Sequence, residues 1–412
     1  MKIFKIKAKI MPEILKDENK NRTVVWLCCI CYFWGTASSM VLSLIPIYMF
    51  EKLGVDSQSF GLFVGVTTSF SVAARVFSGF LIDILKKKRM MLYIGTVLVL
   101  ISKLILIFFT SVGFVLISKF IERIAQGCRR VATDTILADL TQEEGGFAFS
   151  FRHIMNLAGH ATGSILTSLI LILYNNNFKL IFISAIIPAI ISLYTLEKKV
   201  KYEDVFENSK NNFKLGIRDA FKLPREYWQF MVIIALLMFN RFNEGFIAFR
   251  VRDIVGNSIW QFPLFMLCYE VFNIITALFI GKFVDKIDKQ KIFIYSVLVL
   301  LGNDILSMFA NNLVSVVLIY IFAGIHMGAT NWMLLLIISR LSPKHAFGTA
   351  FAVYYGIESI AIFCSNYLAG GLSSNFAVSL GFPSSVGPFI QGAIASIALV
   401  ICATKLRIWN SR

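Results

Sequence analysis

The sequence predicts an all-α polytopic membrane protein of twelve transmembrane helices in two pseudo-symmetric six-helix bundles. Three observations predict it. The chain is 57% hydrophobic and 16% charged, against roughly 25% charged in soluble domains, and its mean hydropathy is +0.73. Its apolar residues gather in runs close to the ~20 that cross a bilayer. Two short motifs also recur at one offset. Gly79-Phe-Leu-Ile-Asp83 returns as Gly281-Lys-Phe-Val-Asp285, and Gly146-Phe-Ala-Phe149 returns as Gly348-Thr-Ala-Phe351. Both pairs stand 202 residues apart (281 − 79 and 348 − 146), which marks a parallel duplication.

The elements follow in order. Residues 1–23 form a basic N-terminal tail. No small-residue cleavage site ends a short apolar stretch there, so a removable signal segment is not expected. The first bundle, 24–197, holds runs at 24–50, 60–83, 91–110, 114–138, 152–174 and 178–197. The polar stretch 198–227 separates it from the second bundle, 228–408, with runs at 228–250, 260–284, 292–310, 313–339, 346–370 and 386–408. Residues 409–412 form a tail. Hydrocarbon offers the backbone no other partner and the alternation of a barrel strand is missing, so every run is read as a helix. Within the linker, Phe213, Ile217 and Phe221 recur every four residues beside Lys214, Arg218 and Lys222. That pattern predicts a short amphipathic helix on an anionic leaflet, joining the bundles. Trp26, Trp228, Trp260 and Trp409 stand at predicted span ends, as an interfacial belt requires.

Lys and Arg collect in the two tails, the linker and the loops after spans 2, 4, 8 and 10, whereas the opposite loops hold Lys52, Lys179, Arg250 and Arg252. The positive-inside rule then places both termini in the cytoplasm. The same asymmetry accounts for the net charge of +16 without a nucleic-acid partner, which needs a basic face on a soluble domain. Abundant Ile, Phe, Lys and Asn suggest an AT-rich genome, and so a bacterial plasma (inner) membrane. The seven cysteines show no paired spacing, and the four histidines show no metal-ligand spacing. A phosphate-binding Gly-x-x-x-x-Gly-Lys-Ser/Thr loop and a Gly-x-Ser-x-Gly nucleophile turn are both lacking. No enzyme activity, cofactor or metal is expected.

The loop motifs carry a family resemblance. Gly79, Leu81, Asp83, Lys87 and Lys88 match Gly-x-Leu-x-Asp-x-x-Gly-Arg/Lys-Arg/Lys, with Lys86 in place of the second glycine. Gly281, Asp285 and Lys289 repeat it, with Asp288 at that glycine. Arg123-Ile-Ala-Gln126-Gly127 is similar to Arg-x-x-Gln-Gly. On these residues the chain resembles the major facilitator superfamily of transporters, and a bacterial branch of it with mostly unassigned substrates. The resemblance implies that Asp83 and Asp285, with Lys87, Lys88 and Lys289, latch the bundles at the cytoplasmic face. Simple topology determination is the competing account of the basic residues. The family's span-5 antiporter pattern is half present: Gly159 and Gly163 stand, but Ser164 replaces the proline and Ser150 the leading glycine. Close helix packing accounts for those two glycines.

Ionisable residues at membrane depth are costly unless paired or wet, so they nominate the site. The acids are Glu122, Glu244, Glu270, Asp304 and Glu358; the cations are Arg75, Lys103, Arg123 and Arg241, with His160 and His326 able to titrate. Arg241 and Glu244, three apart, are expected on one face of span 7, either lining a cavity or forming a structural pair. Glu270 and Asn273 share a face of span 8, and His326 either lines the cavity or packs. Lys103 is expected to snorkel outward, and Asp304 to be a solvated rim residue. Glu270 and Glu358, without same-helix cations, are the expected proton-titrating or substrate-cation partners. Arg123 and Arg241 are expected to contact anionic groups or those acids.

The expected function is movement of a small solute by a monomer through alternating access, coupled to protons. Proton-driven efflux of amphiphilic compounds is the alternative, and a non-transporting sensor of the same fold a further one.

Overall fold

In a computed structural model, residues 18–85, 87–109, 111–141, 146–174, 176–200, 223–256, 259–283, 288–342, 347–372 and 376–405 are described. Residues 1–17 of the N-terminal tail, the C-terminal tail, most of the linker with its expected amphipathic helix, and Asp285 lie outside them. Among the described residues the structure is helical with no strand, in agreement with the predicted class.

The first half comprises α1 (Glu18–Leu42), α2 (Ile45–Glu51), α3 (Ser57–Leu85), α4 (Lys88–Phe108), α5 (Val112–Thr141), α6 (Gly146–Leu173), α7 (Phe178–Ser184) and α8 (Ile186–Lys199). The second comprises α9 (Arg225–Asn240), α10 (Glu244–Val255), α11 (Gln261–Phe283), α12 (Lys289–Phe309), α13 (Leu313–Leu341), α14 (Phe347–Gly371) and α15 (Gly387–Lys405). Among the described residues, nine helical stretches are long and apolar enough to cross a membrane. α3, α5 and α14 occupy the places of predicted spans 2, 4 and 11.

Short polar side chains start several helices. Asp56 Oδ2 accepts from the backbone N–H groups of Gln58 and Ser59 at 3.0 Å, satisfying donors that an N-terminus leaves open. Hydrogen bonds from Ser59 hold the Asp56 carboxyl below the usual carboxylate range. Asn177, Asn243, Asp288 and Asn312 cap α7, α10, α12 and α13 in the same way.

The first span of each half is broken. Pro46, in the opening turn of α2, offers no N–H and its ring crowds the preceding turn, so α1 stops at Leu42. α9 stops at Asn240, and Asn243 restarts the chain as α10. This corrects the expectation that Arg241 and Glu244 share one helical face. They flank a break between two helices.

Packing repeats between halves. α1 packs on α6 and α8, α3 on α5, and α4 on α5 and α8; six spans on, α9 packs on α14 and α15, α11 on α13, and α12 on α13 and α15. The halves meet along α3 with α14, α6 with α11, and α2 with α10. That pattern is the duplication seen at the 202-residue offset, expressed as two pseudo-symmetric bundles.

Candidate functional site

Small residues bring α6 against α1. A Cβ added to Gly163 would stand 2.7 Å from the Thr36 carbonyl oxygen, and one at Gly159 would collide with that of Tyr32. This close approach sets the position of His160 at the junction with the second bundle. Asn156 Nδ2 lies 3.4 Å from His160 Nε2, and Nδ1 lies 3.1 Å from Glu270 Oε1. An amide donor at Nε2 leaves the Nδ1 hydrogen for the carboxylate. The pair therefore joins α6 of the first bundle to α11 of the second. The other oxygen of Glu270 is buried with no hydrogen-bond partner among the described residues. Glu244 lies within electrostatic reach of Tyr269, Glu270, Arg123 and His160. Asn273 is buried one turn beyond Glu270.

Arg241, at the break of span 7, turns toward α13. Its Nη1 donates to Asn331 Oδ1 at 3.0 Å, and Nη2 reaches Thr330 and His326 Nε2, the latter at 3.3 Å. His326 Nδ1 donates to the Ser296 carbonyl at 2.9 Å. Glu358 stands within electrostatic reach of Arg241. Arg241, His326, Asn331 and Glu358, with Glu244, line a cavity of about 240 Å³ on the second-bundle side.

Asp304 and Lys103 depart from expectation. Asp304 is 1% exposed, so it is no rim residue. Asn240 Nδ2 donates to its Oδ2 at 2.9 Å, and Gly392 gives the room, since a Cβ there would meet the carboxylate at 2.8 Å. Lys103 is fully buried and does not snorkel. Its Nζ contacts Glu122 Oε1 at 2.7 Å, while Lys119 Nζ contacts Oε2 at 2.9 Å. Both oxygens of Glu122 are thereby engaged inside the first bundle.

Arg123 Nη1 donates to Gln126 Oε1 at 3.2 Å. The arginine borders Glu244 in one small cavity and opens into another of about 170 Å³ within the first bundle. Of the expected latch residues, Gly79 and Asp83 fall in the last turns of α3, and Gly281 near the end of α11. Their surroundings lie outside the described side chains. Lys87 immediately precedes α4, and Lys88 and Lys289 open α4 and α12.

Sequence reasoning passed over Tyr269, Asn331 and Arg129. Tyr269 adjoins a nominated acid, and Asn331 lies at depth in a long helix, so both carried a polarity signal. Arg129 lies inside predicted span 4, near its basic end, and the sequence does not show that it faces a cavity.

Residues 25–366 match the family model described as Major Facilitator Superfamily. An uncharacterized MFS-type transporter of Methanocaldococcus jannaschii is 23% identical over 378 residues, covering 88% of this chain and 93% of that protein. A crystal structure of a point mutant of the nucleoside transporter NupG superposes with a TM-score of 0.77 at 14% identity, covering 93% of this chain and 99% of that one. A point mutant of the peptide transporter POT gives a TM-score of 0.74 at 13% identity, covering 94% of each chain. At these identities the structural likeness is one of fold.

Proposed function

The chain belongs to the Major Facilitator Superfamily, and from that premise we infer that it moves a small solute by alternating access, driven by protons. The bundles would rock about the cavities lined by Glu244, Arg241 and His160. The observation that carries proton coupling is the His160–Glu270 contact, 3.1 Å across the bundle interface. A proton moving on or off this pair changes the attraction between the bundles at the point where they must part. Glu270 has a second oxygen free of hydrogen bonds on which to receive that proton. Glu244 and Tyr269 offer a continuation of the path, and Glu358 beside Arg241 a second titrating position. Cytoplasmic termini and a bacterial inner membrane complete the reading, supported by the placement of Lys and Arg and by composition.

The test uses purified protein in proteoliposomes with an imposed pH gradient and a broad metabolite mixture, the lumen being read by mass spectrometry. Gradient-dependent accumulation of one chemical class is expected. If no compound accumulates under either polarity of the gradient, the transport reading is overturned.

A further inference from the structure

The cavity within the first bundle is built for an acceptor. Lys119, Arg123, Arg129, Arg130 and Arg152 line it against one carboxylate, Glu122, whose oxygens are already taken by Lys103 and Lys119. Arg152 is paired with Asp134 at 3.2 Å. Besides Arg152 Nε, which has only that ion pair, four buried polar atoms on its wall have no hydrogen-bond partner among the described residues: Trp34 Nε1, Arg123 Nε, Arg129 Nη1 and Thr133 Oγ1. Three of them are obligate donors, and the fourth can donate. Leaving such groups unsatisfied is expensive in a native interior.

Arg129 is held in place by its surroundings. It is 5% exposed, its stem packs on Gly95, where a Cβ would stand 2.7 Å from Arg129 Cγ, and its guanidinium lies 4.7 Å above the Trp34 ring. Nε donates to the Ala125 carbonyl at 3.3 Å, which leaves Nη1 for a ligand. A guanidinium fixed on several sides and facing a cationic cavity matches the planar oxygens of carboxylate and phosphate.

We propose that this cavity is the anion subsite of the transport path, and that the carried solute bears a carboxylate or phosphate gripped by Arg129 and Arg123 with help from Trp34 and Thr133. This assignment rests on the transporter reading and adds the substrate class to it. Glu244 and Glu270, in the second bundle, then serve protons rather than the anion.

The test is thermal unfolding of the full chain in nanodiscs at constant ionic strength. The probes are inorganic phosphate, glucose 6-phosphate and succinate as anions, uridine as a neutral solute and tetraphenylphosphonium as a cation. At least one anion is expected to raise Tm, with uridine and tetraphenylphosphonium inert; phosphates alone or succinate alone responding identifies the headgroup. Arg129→Gln is expected to weaken the apparent Kd at least ~10-fold and Arg129→Lys less, since Lys lacks the bidentate fork. Trp34→Phe and Thr133→Val remove one donor each while preserving shape, and should each weaken it several-fold should Arg129→Gln fold poorly. A response restricted to uridine or tetraphenylphosphonium, no response to any anion, or an anion response untouched by all of these variants overturns the subsite. Gradient-driven accumulation of a neutral or cationic solute would overturn it too while leaving the transporter reading intact.

Discussion

Arg252 Nε lies 2.5 Å from Glu51 Oε1, tying the end of α10 to the end of α2. The contact crosses from one bundle to the other at the face opposite the chain termini. Phe50 stacks on Phe249 beside it, with centroids 4.8 Å apart, and Phe60 meets Phe246 edge-on at 5.4 Å. Both breaks in the first spans lie just behind, so α2 and α10 are short separate lids joined to longer helices by irregular backbone.

Opening that face requires these contacts to part. The ion pair is partly exposed, so its worth is at most ~1 kcal/mol, and the aromatic stack adds about 0.5–1.5 kcal/mol. Glu51→Gln is expected to raise the open population by up to ~5-fold, and Glu51→Gln with Phe50→Ala by more. The readout is alkylation of a cysteine placed at Ala248, now 8% exposed behind the lid, by a membrane-impermeant maleimide. An unchanged rate in the double variant would show that the lid does not hold this face.

His160 and Glu270 should be separable from substrate binding. Glu270→Gln keeps an acceptor for the His160 hydrogen but cannot take up a proton. Accumulation driven by a pH gradient is expected to fall at least tenfold, while gradient-free exchange of labelled solute continues. His160→Gln should act in the same direction. If both variants, and Glu358→Gln beside them, keep wild-type accumulation and pH dependence, proton coupling does not run through these residues.

The Lys103–Glu122–Lys119 cluster predicts a stability effect. Glu122→Gln leaves two buried ammonium groups without their counter-charge, an arrangement that costs about 3–5 kcal/mol. Lys103→Met should cost less, because Lys119 still neutralises Glu122 at 2.9 Å. Thermal unfolding in detergent ranks the two; a milder loss in Glu122→Gln than in Lys103→Met would contradict the pairing.

That cluster also shows what a sequence makes legible. Apolar run lengths and the 202-residue offset report depth and repetition, and they place the helices and the two bundles. They do not report rotation about a helix axis. Lys103 has the stem to snorkel, and only the packing of α4 on α5 turns it inward to Glu122. Asp304 looked peripheral for the same reason, because its partner Asn240 and the space at Gly392 belong to other helices. The run 24–50 hides the first break, although Pro46 stands at it, and no proline marks the second. There the interruption at Arg241 depends on tertiary partners, including Asn366 Oδ1, which accepts from the Asn243 N–H at 2.9 Å. Glu270 was nominated for lacking a cation on its own helix, and its partner proved to be a histidine 110 residues earlier in the chain.

The glycines of α6 connect packing to the site. Gly163→Ala would bring a methyl group to 2.7 Å from the Thr36 carbonyl oxygen and 3.0 Å from Ser39 Cβ, neither of which can yield without moving α1. Overpacking of this kind costs about 1–3 kcal/mol, and Gly159→Val should cost more, since the Tyr32 carbonyl lies nearer still. Because His160 is adjacent to Gly159, any separation of α6 from α1 also displaces the imidazole relative to Glu270. Both variants are therefore expected to lower Tm and to reduce gradient-driven accumulation together. Gly302→Ala is the control: its new Cβ would find Phe322 at 3.8 Å, an ordinary contact, and should leave both quantities unchanged. A Gly159→Val protein with lowered Tm but intact gradient-driven accumulation would show that the His160–Glu270 distance is not set by this helix pair.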